Sequence, residues 1–170
     1  IKKGDESMAS DIRKVGVVGI GLMGSGIAQV AAAKNFDTVV VDVSAEIIAK
    51  GMERIHASVR RLVESYQKTS GKSGIAPDEE NGIIARIQPS TERSHLLDCD
   101  IVIEAVVEDE PAKKQLISSL AQSGYQKLLV SNTSSISITR LASAYSFPEK
   151  FLGMHFMNPV PVQPGCELIR

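Results

Sequence analysis

The stretch Lys14-Val15-Gly16-Val17-Val18-Gly19-Ile20-Gly21-Leu22-Met23-Gly24 constrains the fold of this chain more than any other. A β-branched run breaks into glycines at Gly19, Gly21 and Gly24, then passes into an Ala-rich pattern of helical character. Each glycine answers a separate physical need. Gly19 lets the backbone turn sharply off a strand end. Gly21 carries no Cβ, so the backbone can approach a pyrophosphate. Gly24 lets the following helix pack close to the sheet with its N-terminal N–H groups aimed at the phosphates. Glycines at this spacing also occur in ordinary strand–turn–helix junctions, so the context decides. An apolar strand precedes them, a helix follows, and an acidic residue lies at the right distance. The candidate pyrophosphate loop is Gly19, Gly21, Leu22, Met23 and Gly24.

The acidic residue is Asp42, at the end of the β-branched run Asp37-Thr38-Val39-Val40-Val41 and 18 residues beyond Gly24. A carboxylate at that distance meets the adenosine ribose, accepts hydrogen bonds from both hydroxyls and repels a 2′-phosphate. Val43 and Ser44 supply no arginine to attract one. NAD is therefore expected over NADP. Ser44 reads as the N-cap of the helix that follows.

Strand-like and helix-like segments then alternate. Strands are expected at Lys14–Gly19, Thr38–Asp42, Ile87–Pro89, Asp100–Val106, Lys127–Asn132 and Phe151–Met154. Helices are expected at Met23–Lys34, Ala45–Gln67, from Pro77, at Pro111–Gln122 and at Ser137–Ser143. In the long second helix, Ile47, Ile48, Met52, Ile55, Val59, Leu62 and Val63 recur at helical spacing. This rhythm predicts one α/β domain of the Rossmann type: a doubly wound, mostly parallel sheet with helices on both faces. The domain would span residues 13–170, with residues 1–12 a processed leader or a cloning scar and Met8 a possible original start.

Composition removes several function classes. With 19 basic and 20 acidic side chains there is no electrostatic case for nucleic-acid binding. Cys99 and Cys166 show no metal-ligand or redox spacing and read as free thiols in a reducing compartment, so no metal site is expected. No apolar run approaches the ~18 residues of a membrane helix, and residues 1–7 lack the apolar region of a secretory signal.

In open α/β sheets, ligands lie beyond the carboxyl ends of the strands. The polar residues expected there are Glu104 and Glu108 with Lys113 in the next helix, then Ser131-Asn132-Thr133-Ser134-Ser135, and then His155 with Asn158-Pro159. A histidine at such a strand end is a candidate general base on a hydroxyl. His56, within the long helix, reads as structural.

The block Gly153-Met154-His155-Phe156-Met157-Asn158-Pro159-Val160-Pro161, with Glu167 twelve residues after the histidine, resembles the signature of the L-3-hydroxyacyl-CoA dehydrogenases. The resemblance extends to Ile103-Glu104-Ala105-Val106-Val107-Glu108, to Ser131-Asn132-Thr133-Ser134-Ser135-Ile136 and to the glycine loop, and covers about Arg13 to Arg170. It implies reversible oxidation of an L-3-hydroxyacyl-CoA to the 3-ketoacyl-CoA with NAD. His155 and Glu167 would be catalytic, and Glu108, Lys113, Ser134 and Asn158 would contact the cofactor. Ser58, Ser134 and Asn158 would contact the acyl-CoA.

Three departures from the family pattern shape the expectations. Pro164 and Gly165 stand in the approach to Glu167, which weakens the expected pairing with His155. A basic residue late in the long helix is replaced by Ser65, with Arg60 and Arg61 nearby. Relatives also carry a second, helical domain that supplies pocket walls and most of a homodimer interface, and it is absent from these 170 residues. The fragment alone is therefore expected to bind NAD with weak or no turnover. A dehydrogenase of non-CoA hydroxy acids of the L-gulonate type, and a non-catalytic NAD-binding module, remain alternatives. An intracellular location is expected, with mitochondrial, peroxisomal and cytoplasmic placements all open.

Overall fold

The structure is a computed structural model that describes residues 12–163 and 165–170. The leader assigned to residues 1–12, apart from Ile12, and the effect expected of Pro164 lie outside the described residues.

Six parallel strands and one antiparallel edge strand form a single sheet. They are β1 (Lys14–Val18), β2 (Asp37–Val41), β3 (Ile87–Ser90), β4 (Ile101–Glu104), β5 (Leu128–Ser131), β6 (Phe151–Phe156) and β7 (Cys166–Ile169). Their spatial order is β3-β2-β1-β4-β5-β6-β7. The chain winds outward from β1 to β3, then returns to place β4 on the other side of β1. The carboxyl ends of β1 and β4 therefore flank the point where the winding reverses, which is where such sheets open a crevice.

Side-chain alternation along the strands builds two cores. Val15 and Val17 of β1 join Val40, Ile101 and Ile103 beneath α1 (Leu22–Ala33), α2 (Ala45–Lys68) and α3 (Glu80–Ala85). Val18, Val39, Val41, Val102 and Leu129 face α4 (Glu110–Gln122) and α5 (Ile138–Ala142) on the opposite side. Period-two alternation in strands buried on both faces is what the near-continuous β-branched runs encode.

Three expectations are corrected. In α2 the buried stripe is Ile48, Gly51, Ile55, Val59 and Val63. Ile47 is exposed, and Gly51 takes a place in the stripe because the Ile20 side chain lies where a Cβ would be. β4 stops at Glu104, before the expected Val106, because the Val106 N–H turns back to donate to Glu104 Oε1 at 2.8 Å. β6 runs through His155 to Phe156, beyond the expected Met154, because β7 pairs along it with His155 opposite Glu167. A 3₁₀ turn at Arg93–Leu96, which has no apolar periodicity to announce it, leads into β4. Ser44 caps α2 as expected, its Oγ accepting from the Ile47 N–H at 3.2 Å.

Candidate functional site

The glycine loop joins β1 to α1 at the crevice. Gly19 has φ +92°, the left-handed region that favours glycine, and a Cβ there would lie 2.6 Å from the Ala105 carbonyl oxygen. At Gly24 a Cβ would collide with the Gly19 carbonyl oxygen, whereas at Gly21 it would project into open space. The first helical bond of α1 runs from the Ser25 N–H to the Gly21 carbonyl, so the N–H groups of Leu22, Met23 and Gly24 precede it without intrahelical partners. No acidic side chain stands in that first turn to offset the helix dipole. A concave backbone lined with free N–H groups at a helix N-terminus suits a pyrophosphate.

Asp42 lies just past β2 in the same crevice. Its Oδ2 accepts from the Ile20 N–H at 2.7 Å and its Oδ1 from the Val43 N–H at 2.7 Å. Each carboxylate oxygen retains a second lone pair for a ribose hydroxyl. Asp42 thus also fixes the glycine loop, which motif spacing alone does not reveal. Arg54 of α2 completes the clamp by donating from Nη2 to the Ile20 carbonyl at 2.8 Å.

Three hollows adjoin one another around this loop. The first, about 490 Å³, is lined by Gly19, Asp42, Arg93, Val106 and Ser119 among others. The second, about 330 Å³, brings together Met23, Glu108, Lys113, Ser134, His155 and Asn158. The third, about 480 Å³, runs between α2 and the segment after β6 and contains Leu22, Arg54, Ser58, Arg61 and Asn158. Val106 borders the first two and Asn158 borders the last two.

The middle hollow is walled by a charged network. Lys113, 1% exposed, meets Glu104 Oε1 at 2.6 Å and Glu108 Oε2 at 3.3 Å. Glu108 Oε1 in turn accepts from Thr133 Oγ1, from the Ser134 N–H at 3.0 Å and from the Ser135 N–H at 3.3 Å. Partial burial by itself raises the Glu108 carboxyl. The hydrogen bonds from Thr133 and Ser134, with the Lys113 charge, outweigh that and hold it down at about 2.

Across the hollow, β6 and β7 place His155 Nδ1 3.2 Å from Glu167 Oε2. The weak pairing expected from Gly165 is not what the strand geometry gives. Antiparallel register puts the two side chains directly opposite, whatever path the chain takes between the strands. With Glu167 accepting from Nδ1–H, the Nε2 lone pair is left to act as a base.

A protein-family model described as "3-hydroxyacyl-CoA dehydrogenase, NAD binding domain" matches residues 14–170. The chain belongs to the 3-hydroxyacyl-CoA dehydrogenase family. Over the matched residues it is that family's NAD-binding domain. It is similar to the 3-hydroxybutyryl-CoA dehydrogenase of Bradyrhizobium diazoefficiens, 44% identical over 164 residues, which is 96% of this chain and 54% of that protein. It is 37% identical to the fatty acid oxidation complex subunit alpha of Acinetobacter baylyi, covering 99% of this chain and 23% of that one. Among solved structures, (S)-3-hydroxybutyryl-CoA dehydrogenase from Ralstonia eutropha superposes with a TM-score of 0.85 at 40% identity, covering 93% of this chain and 54% of that one. The chain thus spans about half the length of these 3-hydroxybutyryl-CoA dehydrogenases.

In this NAD-binding domain the sequence-derived residues fall in three places. Gly19 and Asp42 line the first hollow. Met23, Glu108, Lys113, Ser134, His155 and Asn158 share the second, with Glu167 on His155 from outside. Ser58 lies in the third with Leu22 of the glycine loop and with Arg61, in a groove that Ser65 and Arg60 do not line. Motif reading set Glu104 on the ligand rim without assigning it a function, and it passed over Arg93. Arg93 enters the Asp42 hollow from the 3₁₀ turn and donates to Ser119 Oγ at 3.2 Å. Only tertiary structure brings it there.

The Glu108 network carries a pH signature. A carboxyl held below its ordinary 4.5 in the folded chain contributes stability above that value, and the contribution is lost as pH falls from 4.5 towards about 2. Glu108→Gln is therefore expected to be less stable than the parent at neutral pH. The gap should be constant down to about pH 5 and close between there and about pH 2. Urea denaturation across that range measures it, and a gap independent of pH would contradict the assignment.

Proposed function

We propose that this domain serves the reversible oxidation of an L-3-hydroxyacyl-CoA to the 3-ketoacyl-CoA. The observation that carries this reading is the run of three adjoining hollows, with His155 in the middle one. The first suits the adenosine half of NAD, its ribose on Asp42 and its pyrophosphate on the Gly19–Gly24 loop. NAD when bound supplies the hydride acceptor. Its nicotinamide half belongs in the second hollow, against Met23, Glu108, Lys113, Ser134 and Asn158.

His155 Nε2 takes the proton from the substrate 3-hydroxyl, and C3 gives up its hydride to the acceptor. Glu167 keeps the proton on Nδ1 and balances the imidazolium that forms. The third hollow receives the thioester's CoA arm. Ser58 donates a hydrogen bond there, and Arg61 supplies the cation that the family pattern seeks one turn later in α2. Asn158, where the second and third hollows meet, and Ser134 in the second orient the acyl oxygen.

The experiment is a single-turnover reaction of the chain at substrate-level concentration with NADH and acetoacetyl-CoA, followed by loss of NADH absorbance. A parallel reaction uses free acetoacetate. Single turnover is chosen because it reads the chemical step apart from product release. NADH oxidation is expected with the CoA ester and not with the free acid. Oxidation by the free acid at an equal or higher rate would overturn the acyl-CoA reading.

A further inference from the structure

Glu104 ends β4 with no solvent exposure, and the reaction above leaves it without a role. Its two carboxylate oxygens tie three elements together. Oε1 accepts from Lys113 Nζ in α4 and from the Val106 N–H in the turn after β4. Oε2 accepts from Ser131 Oγ at the end of β5. Ser131 Oγ in turn accepts from the Thr133 N–H at 3.3 Å, which leads into the loop carrying Ser134.

Packing alone does not account for this arrangement. Two opposite charges taken out of water cost desolvation energy, and an apolar pair of similar volume is often neutral or more stable. Lys113 is 1% exposed, yet it borders the hollow that holds His155. Its ammonium has three N–H groups. They are spoken for by Glu104 at 2.6 Å, Glu108 at 3.3 Å and the Val106 carbonyl at 3.4 Å. Glu104 makes the shortest of these contacts and is the partner fully shielded from solvent. Without its charge, Lys113 would be drawn towards Glu108, and the bonds from Glu108 to Thr133, Ser134 and Ser135 would have to adjust.

We propose that Glu104 is a positioning residue for the nicotinamide half of the cofactor: through Lys113, the Val106 turn and Ser131 it fixes the wall of the His155 hollow. This rests on the reading that the His155 hollow takes the nicotinamide ring.

The test compares NADH with ADP, which fills the adenosine side and the glycine loop but leaves the His155 hollow empty. Both are titrated into the chain and into Glu104→Gln. The variant is expected to bind NADH about tenfold more weakly, the loss of one hydrogen bond to a charged group, while ADP affinity stays unchanged. Unchanged NADH affinity would overturn the proposal. So would an equal proportional loss for both ligands, since that marks general damage to the fold.

If Glu104→Gln does not fold, Ser131→Ala takes away the hydroxyl bonded to Glu104 Oε2 while leaving both buried charges in place. It is expected to retain ADP affinity and lose NADH affinity, and parental NADH affinity would overturn the proposal. If the unaltered chain bound ADP but gained nothing from the nicotinamide half of NADH, the underlying reading would fall, and this proposal with it.

Discussion

His155→Gln is expected to slow NADH oxidation by acetoacetyl-CoA by about 10²–10⁴-fold, the usual contribution of a positioned general base. NADH affinity should change little. The prediction follows from where the side chain stands. His155 lies on β6 inside the hollow, with Nδ1 committed to Glu167 at 3.2 Å. Glutamine preserves bulk and polarity but offers no nitrogen able to hold a proton through the reaction. The loss should therefore appear in the rate of the chemical step rather than in cofactor binding. Glu167→Gln should lose less, because the Glu167 side chain is 65% exposed and solvent screens its field. Its part is to hold the tautomer. Rapid mixing of excess chain with NADH and substrate measures the step directly. Equal rates for parent and His155→Gln would remove His155 from the chemistry.

The elements carrying the cofactor loop were legible because their signals are local. Lys14–Val18 and Asp37–Val41 are β-branched runs ended by glycine or aspartate, and the Ala-rich segment of α1 is continuous with the loop. The amphipathic stripe of α2 was legible for the same reason, apart from Ile47 and Gly51. What could not be read depends on contacts between distant segments. β7 is four exposed residues with no alternation of its own, and it is a strand only because β6 lies beside it. The facing of Glu167 and His155, which the family resemblance implied, is held by that register. The Glu104–Lys113 pair joins residues nine apart that were both expected near the ligand rim but not expected to bond to each other. Their burial appears only once β4, α4 and β5 are assembled. Arg93 reaches the Asp42 hollow through a 3₁₀ turn that no periodicity predicts.

Asp42 unites the legible and the hidden parts of the site. Motif spacing marks it as the ribose contact, and the structure adds its hold on the Ile20 N–H at 2.7 Å. Its removal therefore costs twice: the acceptors for the ribose hydroxyls go, and the glycine loop loses the bond that fixes its backbone. One lost hydrogen bond to a charged group is worth about 1.5–3 kcal/mol, or about 10–100-fold, so Asp42→Ala is expected to weaken NADH binding by at least that much. The same carboxylate repels a 2′-phosphate, while Arg93, which lines the same hollow, attracts one. Preference for NADH over NADPH should therefore narrow or invert in the variant. Asp42→Asn, which keeps the shape and an acceptor oxygen but no charge, should fall between.

The most direct test is fluorescence titration of the unaltered chain and of Asp42→Ala with NADH and NADPH. The expected result is saturable NADH binding to the unaltered chain, tighter than NADPH, with that advantage lost in the variant. Equal NADH affinity in the two proteins, or tighter NADPH binding by the unaltered chain, would contradict it.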